Sequence, residues 1–356
     1  MENKQIKKKI KIIFWGTPEF SAIILNSLIK NDYLPIAVVT APDKPKGRNY
    51  VLSTPSVKKI ALKYSIPYLQ PIKISAKGGS AVLAGQAGGK ENKELKNKIT
   101  SLKPDLFIVA AYGLIIPEEL FKIPPKGAIN VHPSLLPEYR GPSPIQTAIY
   151  QGDNETGVTL ILMTEKMDEG PIIKMQNVKI KNKNYEELSN ELANLGADLL
   201  IKTLPDWLEG KIKPIPQDES RATYTKIIKK EDGLIDFNKS AEEIERQIRA
   251  FSPWPGAYLK IPNSNYGGRD SIVDKKNKIL KILEAEVLLT GENKKKGLIF
   301  PYQAGPSDSK QKGKELAITC SFDSLLLKKV QLEGKKKMDG ISFLNGHRYL
   351  MNKILV

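Results

Sequence analysis

The chain has 356 residues, one cysteine and two histidines, with 40% hydrophobic residues and a formal charge of +17. That length points to two domains, and the cysteine count excludes an intramolecular disulfide and a thiolate metal cage. No metal is expected, and the longest apolar stretch, Leu106 to Ile116, is far too short to span a bilayer.

The Lys-rich start runs straight into Ile10-Lys11-Ile12-Ile13-Phe14 without a signal peptide's apolar region, so a cytoplasmic protein is expected. Residues 10 to 15 read as a strand, Gly16 as a turn, Thr17 as a helix N-cap and Pro18 as the first helical residue. The helix should then run to about Lys30. Further strands are expected at Ile36 to Ala41, Leu106 to Ala111 and Ala128 to Val131, with a helical turn at Glu118 to Phe121. This alternation predicts an α/β fold, a doubly wound and mostly parallel sheet. A dinucleotide-binding dehydrogenase fits poorly. Trp15-Gly16-Thr17-Pro18-Glu19 has one glycine where pyrophosphate binding uses G-x-G-x-x-G, so Asp43 as a ribose-binding acid is a weak match.

Ser75 to Lys90, rich in glycine and small residues, reads as a surface loop. Lys211 to Gln217, with Pro214 and Pro216, reads as an extended linker. Beyond it the texture changes to a helix at Ala241 to Phe251 and strands at Ala257 to Ile261, Ile279 to Leu289, Leu316 to Phe322 and Leu325 to Leu332. That pattern suits a small OB-like β-barrel. The expected division is residues 1–210, a linker over 211–230, and a second domain over 231–356.

Side chains two apart on a strand share a face, so Asn130 and His132 project together at the end of Ala128-Ile129-Asn130-Val131-His132. Ligands of doubly wound sheets collect at such carboxyl ends. The pair reads either as an amide donor beside an imidazole in a reactive site, or as a hydrogen-bonded structural histidine. Asp168, in Met167-Asp168-Glu169-Gly170, reads on its own as a turn acid. The basic excess is spread along the chain and suits a polyanionic partner or a solvated lysine-rich surface. His347, Lys335 to Lys337 and Lys294 to Lys296 show no reactive pattern.

Several stretches together resemble the methionyl-tRNA formyltransferases: Phe14 to Pro18, Pro42 to Arg48, Ala110 to Pro117, the segment from Asn130 to Gln146, Met163 to Ile172, and Arg249 to Gly256. The resemblance covers nearly the whole chain. It implies that Asn130, His132 and Asp168 form the catalytic group. It also implies that Ser134, Leu135, Leu136 and Pro137 help hold a folate, and that Arg48 sits in a loop reaching the tRNA acceptor end. The implied reaction transfers a formyl group from 10-formyltetrahydrofolate to the amine of methionyl initiator tRNA, by a monomer with no membrane partner. Departures from the family pattern fall at Glu138, at Pro142-Ser143 and at the glycine-rich segment from Ser75. Two other readings are a formyltransferase acting on a small amine and a non-catalytic RNA-binding protein. A basic second domain argues against the first, and the presence of Asn130, His132 and Asp168 together argues against the second.

Overall fold

Strand β1 (Ile12–Gly16) and strand β6 (Leu106–Ala110) are buried along their whole length, as befits central strands covered on both faces. In the computed structural model, which describes residues 10–46, 51–72, 89–262, 277–292, 295–303 and 314–355, they sit side by side in a seven-stranded sheet. The other members are β2 (Ala37–Val39), β5 (Tyr68–Leu69), β7 (Ala128–His132), β8 (Glu155–Leu162) and β9 (Ile172–Lys179). The order is β5-β2-β1-β6-β7-β8-β9, parallel as far as β7 and antiparallel beyond it. A separate hairpin pairs β3 (Lys44–Lys46) with β4 (Val51–Ser53). Helices α1 (Glu19–Lys30), α2 (Ser56–Lys63), α3 (Gly89–Leu102), α4 (Glu118–Phe121), α5 (Pro144–Gln151) and α6 (Tyr185–Leu208) complete this part of the chain.

Two expectations at the first turn are corrected. Pro18 is the N-cap of α1 rather than its first residue, and Thr17 does not cap the helix. The Thr17 hydroxyl donates to Tyr112 O at 2.8 Å and accepts from Ala41 N at 3.3 Å, so it ties together the segments leaving β1, β2 and β6. Ala111 leaves the strand at φ +42°. The segment expected to loop as far as Lys90 already turns helical at Gly89, where α3 begins, and residues 73–88 lie outside the described residues.

Helix α6 sets the height of β7. A Cβ on Gly196 would meet Val131 Cγ1 at 2.8 Å, so only glycine lets the helix approach this closely. Val131 is thereby committed to the packed face, and the period-two alternation sends Asn130 and His132 to the other.

The chain divides into two compact units. The first comprises Met1–Pro144, Glu155–Lys179 and Leu188–Lys226, and the second Ile145–Asn154, Ile180–Glu187 and Ile227–Val356. Residues 211–226, expected as linker, belong to the first unit and include a 3-10 turn at Glu219–Arg221. Ile215 bridges Ile172, Tyr224 bridges Arg140, and Thr225 N donates to Arg140 O at 2.8 Å. Backbone groups that an isolated linker would leave to water are paired here.

The second unit holds α7 (Ala241–Phe251), started by a capping box in which Ser240 Oγ accepts from Glu243 N and Glu243 Oε2 accepts from Ser240 N. An antiparallel sheet orders β10 (Ala257–Ile261), β11 (Lys278–Glu292), β14 (Phe322–Leu332), β13 (Lys314–Thr319) and β12 (Ile299–Gln303), with β15 (Met338–Asp339) beside β14. Ile244, Ile248, Leu259, Leu280, Ile318, Leu327 and Phe343, the last from α8 (Gly340–Gly346), close one core. This is the antiparallel domain expected of an OB-like module. Cys320, expected within a strand, lies in the turn between β13 and β14 and is fully buried.

Candidate active site

Strand β7 delivers Asn130 and His132 to its carboxyl end, and the loop between β8 and β9 brings Asp168 to them. Asn130 Nδ2 donates to Asp168 Oδ1 at 3.2 Å, and His132 Nδ1 stands 3.6 Å from Asp168 Oδ2. The side chains of His132 and Asp168 are 5% and 10% exposed. The three residues expected to act together do lie in one small, largely buried volume.

The loop geometry explains the residue types. Asp168 adopts φ +59°, a left-handed conformation that aspartate tolerates better than most residues. A Cβ on Gly170 would fall 1.8 Å from Leu162 O, so glycine is required for the loop to turn back onto β8. Gly141 N donates to Asp168 Oδ2 at 2.9 Å from a residue at φ +106°.

His132 Nε2 lies 3.0 Å from Tyr139 O. A carbonyl only accepts, so Nε2 carries the hydrogen in this contact. Nδ1 is left facing the carboxylate at a distance too long for a hydrogen bond. With that donor already engaged, the neutral His132 ring has no second N–H to offer a developing oxyanion. Asn130 has a second amide hydrogen besides the one given to Asp168. The arrangement offers a neutral donor, a proton acceptor at Nδ1, and a carboxylate to balance the charge such an acceptor would gain.

The turn from Ser134 to Pro137 follows directly. Ser134 Oγ donates to Glu138 O at 2.6 Å, and Thr159 Oγ1 donates to Ser134 O and accepts from Leu136 N. Ser134, Leu136 and Pro137 are buried, and Leu135 Cδ2 packs where a Cβ on Gly157 would stand. With the side chains turned inward, a ligand on this turn would meet its backbone. Arg48 lies outside the described residues; the β3–β4 hairpin flanks it in sequence.

Other expectations resolve simply. Asp43 pairs with Lys58 at 2.8 Å and accepts from Gln70 at 3.0 Å, and these partners hold its carboxyl below the usual range. It is a structural acid here. His347 stacks on Phe343, with Nδ1 2.9 Å from Phe343 O. Of the family departures, Glu138 receives a 2.8 Å contact from Arg221, and Ser143 Oγ donates to Lys226 O at 2.5 Å. No group of metal-ligating side chains occurs among the described residues, and no described helix is long and apolar enough to cross a membrane.

The sequence reading passed over Arg140 and Gln217. Arg140 is fully buried, and Glu219 forks onto its guanidinium at 2.9 and 2.7 Å. That bond raises the pKa of Arg140 and lowers that of Glu219. Gln217 Nε2 donates to both Asp168 O and Gly170 O at 2.7 Å. Their partners lie 77 and about 50 positions away, a separation that no local pattern records.

Comparison with known proteins gives concordant results. The family described as formyl transferase matches residues 8–204, and the formyl transferase C-terminal domain matches 227–348. A protein named methionyl-tRNA formyltransferase from Staphylococcus aureus strain bovine RF122 / ET3-1 is 39% identical over 342 residues, covering 96% of this chain and 97% of its own. The same-named protein of strain MW2 is 40% identical over 337 residues, covering 94% and 96%. Among solved structures, HypX from Aquifex aeolicus in complex with tetrahydrofolic acid aligns with a TM-score of 0.57 at 16% identity, over 94% of this chain and 47% of that one. An N-formyltransferase from Helicobacter canadensis in complex with folinic acid and dTDP-3-aminofucose aligns with a TM-score of 0.56 at 19% identity, over 89% and 99%. These two share the fold.

Proposed function

Because the chain belongs to the formyl transferase family, and within it to the methionyl-tRNA formyltransferases, we propose that Asn130, His132 and Asp168 carry its reaction. That reaction is transfer of a formyl group from a folate-derived donor to the amino group of methionyl-tRNA, for translation initiation. The donor in this reading is 10-formyltetrahydrofolate, and the acceptor is the initiator species. The observation that supports it is the convergence of the three side chains, from β7 and a loop some 36 residues later, within 3.2 and 3.6 Å.

Each residue has a chemical task. As the methionyl amine adds to the formyl carbon, the formyl oxygen gains negative charge, and a donor already in place lowers that barrier. The free hydrogen of Asn130 Nδ2 is that donor. The adding amine must lose a proton, and His132 Nδ1 is the acceptor, with Asp168 beside it to balance the imidazolium. The proton then returns to the departing folate nitrogen as its bond to the formyl carbon breaks. Tyr139 O holds the ring throughout by way of Nε2. The turn at Ser134, Leu135, Leu136 and Pro137 offers its backbone to the donor's ring system, and the closely packed side chains beneath keep that backbone in place.

In this reading the second unit and the loop bearing Arg48 bind the acceptor arm through phosphates, as a chain of charge +17 suits. The protein works in the cytoplasm as a single copy. The test is formylation of methionyl initiator tRNA with 10-formyltetrahydrofolate, with elongator methionyl-tRNA alongside. Rapid transfer to the initiator alone supports the reading. A folded protein that binds folate and formylates neither tRNA overturns it in favour of a small-amine substrate.

A further inference from the structure

Asp168 holds a left-handed backbone conformation, which costs a non-glycine residue about 1 kcal/mol or more and persists only where the surroundings over-determine it. The source of that constraint lies outside its own loop. Gln217 Nε2 donates to the carbonyls on both sides of the turn, Asp168 O and Gly170 O, each at 2.7 Å. Its Oε1 accepts from Arg140 Nε at 3.1 Å and Nη2 at 2.8 Å. A guanidinium can only donate and a carbonyl can only accept, so Arg140 dictates which end of the Gln217 amide faces the turn.

Arg140 is itself held rigidly. Its side chain is fully buried, with Glu219 Oε1 and Oε2 on its two terminal nitrogens and the Tyr224 hydroxyl 3.0 Å from Nη1. Glu169 stands 3.8 Å from Nη1 and 3.3 Å from the Tyr224 hydroxyl. The next residue, Gly141, reaches the Asp168 carboxylate directly. The segment 140–141 therefore fixes the backbone of the turn through Gln217 and its carboxylate through a main-chain N–H.

We propose that Gln217, oriented by Arg140, is a positioning residue for formyl transfer, clamping the Asp168 turn so that its carboxylate stays against Asn130 and His132. The inference rests on the assignment of Asp168 to the reaction. Misplacement of a reacting group by about 1 Å can cost some 10²-fold in rate, and two 2.7 Å bonds to one turn guard against a shift of that size.

The test uses full-length Gln217→Glu, which keeps the length and the acceptors for Arg140 but has no hydrogen for either carbonyl. Steady-state formylation is measured for this variant, for Asp168→Asn, and for the double variant. Expected for Gln217→Glu is a fall in kcat of roughly 10- to 100-fold, with KM for tRNA and folate within about twofold. No further fall is expected when the substitution is added to Asp168→Asn, since residues acting through one another are non-additive. A merely structural glutamine would not give that pattern. Wild-type turnover by Gln217→Glu, with Asp168→Asn impaired, overturns the clamp alone. An equal loss in both backgrounds, or a raised KM at unchanged kcat, also overturns it. Wild-type turnover by Asp168→Asn removes the assignment of Asp168 and the clamp with it. Should Gln217→Glu melt early, Gln217→Ala, which leaves room for water beside Arg140, is judged by the same rates.

Discussion

His132 and Asp168 face each other across 3.6 Å, one from the end of a strand and the other from a turn whose backbone is left-handed. The separation is longer than a hydrogen bond, so the carboxylate acts on the ring through charge and the ring is held through its other nitrogen by Tyr139. The first set of outcomes follows from that division of labour. His132→Ala and Asp168→Asn should each lower kcat by roughly 10² to 10⁴, and Asn130→Ala by roughly 10² to 10³, with thermal midpoints close to the parent. Formylation rates beside melting curves check this; near-normal turnover by a folded variant strips that residue of its role.

Gly170→Ala should destabilise the fold as well as slow the reaction. Its new Cβ would stand 1.8 Å from Leu162 O, a backbone atom that cannot swing aside, and overpacking of this kind costs about 1–3 kcal/mol. A lowered urea midpoint is expected together with a drop in kcat that persists well below the transition. An unchanged midpoint would mean that the turn has room the structure denies it.

Acid should weaken the Arg140 cluster. Hydrogen bonding to Arg140 holds Glu219 below the ordinary glutamate range, so the folded chain binds fewer protons there than the unfolded one. The contribution is complete above that range and is lost as pH falls through the depressed folded value. Because Glu219 is well exposed, the effect is modest. Urea midpoints of the parent should fall more between neutral and acid pH than those of Glu219→Gln, and parallel curves would contradict the linkage.

Binding of tRNA should weaken steeply with salt. Each phosphate neutralised contributes about 0.7 to 0.9 to the slope of log affinity against log salt, so several contacts give a slope of several units. A flat response in filter binding or fluorescence titration would take the polyanion out of the reading.

Cys320 should resist thiol reagents in the folded state. Burial pushes its thiol up to about 12, which leaves little thiolate to react. Labelling should begin only as the second unit opens, making the residue a reporter of its unfolding. Rapid labelling without denaturant would show that its burial is incomplete.

The extent of sequence legibility differs between the fold and the site. Helices α4 and α7 and strand β10 fall where the local pattern predicts them, because hydrophobic period and caps such as Ser240 and Glu243 are written within a few residues. Thr17 shows the limit: its residue type suits an N-cap, yet partners at Tyr112 and Ala41, 95 and 24 positions away, claim its hydroxyl.

The alternation of β7 was enough to place Asn130 beside His132, and family motifs were enough to name Asp168 with them. Sequence also determined the two-part organisation, the basic charge and the absence of a disulfide. Tertiary structure alone decided that residues 211–226 join the first unit, and that Gln217, held by Arg140, bonds the Asp168 turn. The physical reason is range. Strand period, capping and turn chemistry are set by neighbours along the chain, whereas hydrogen bonds between residues some 50 to 80 positions apart exist only once the sheet has brought them together.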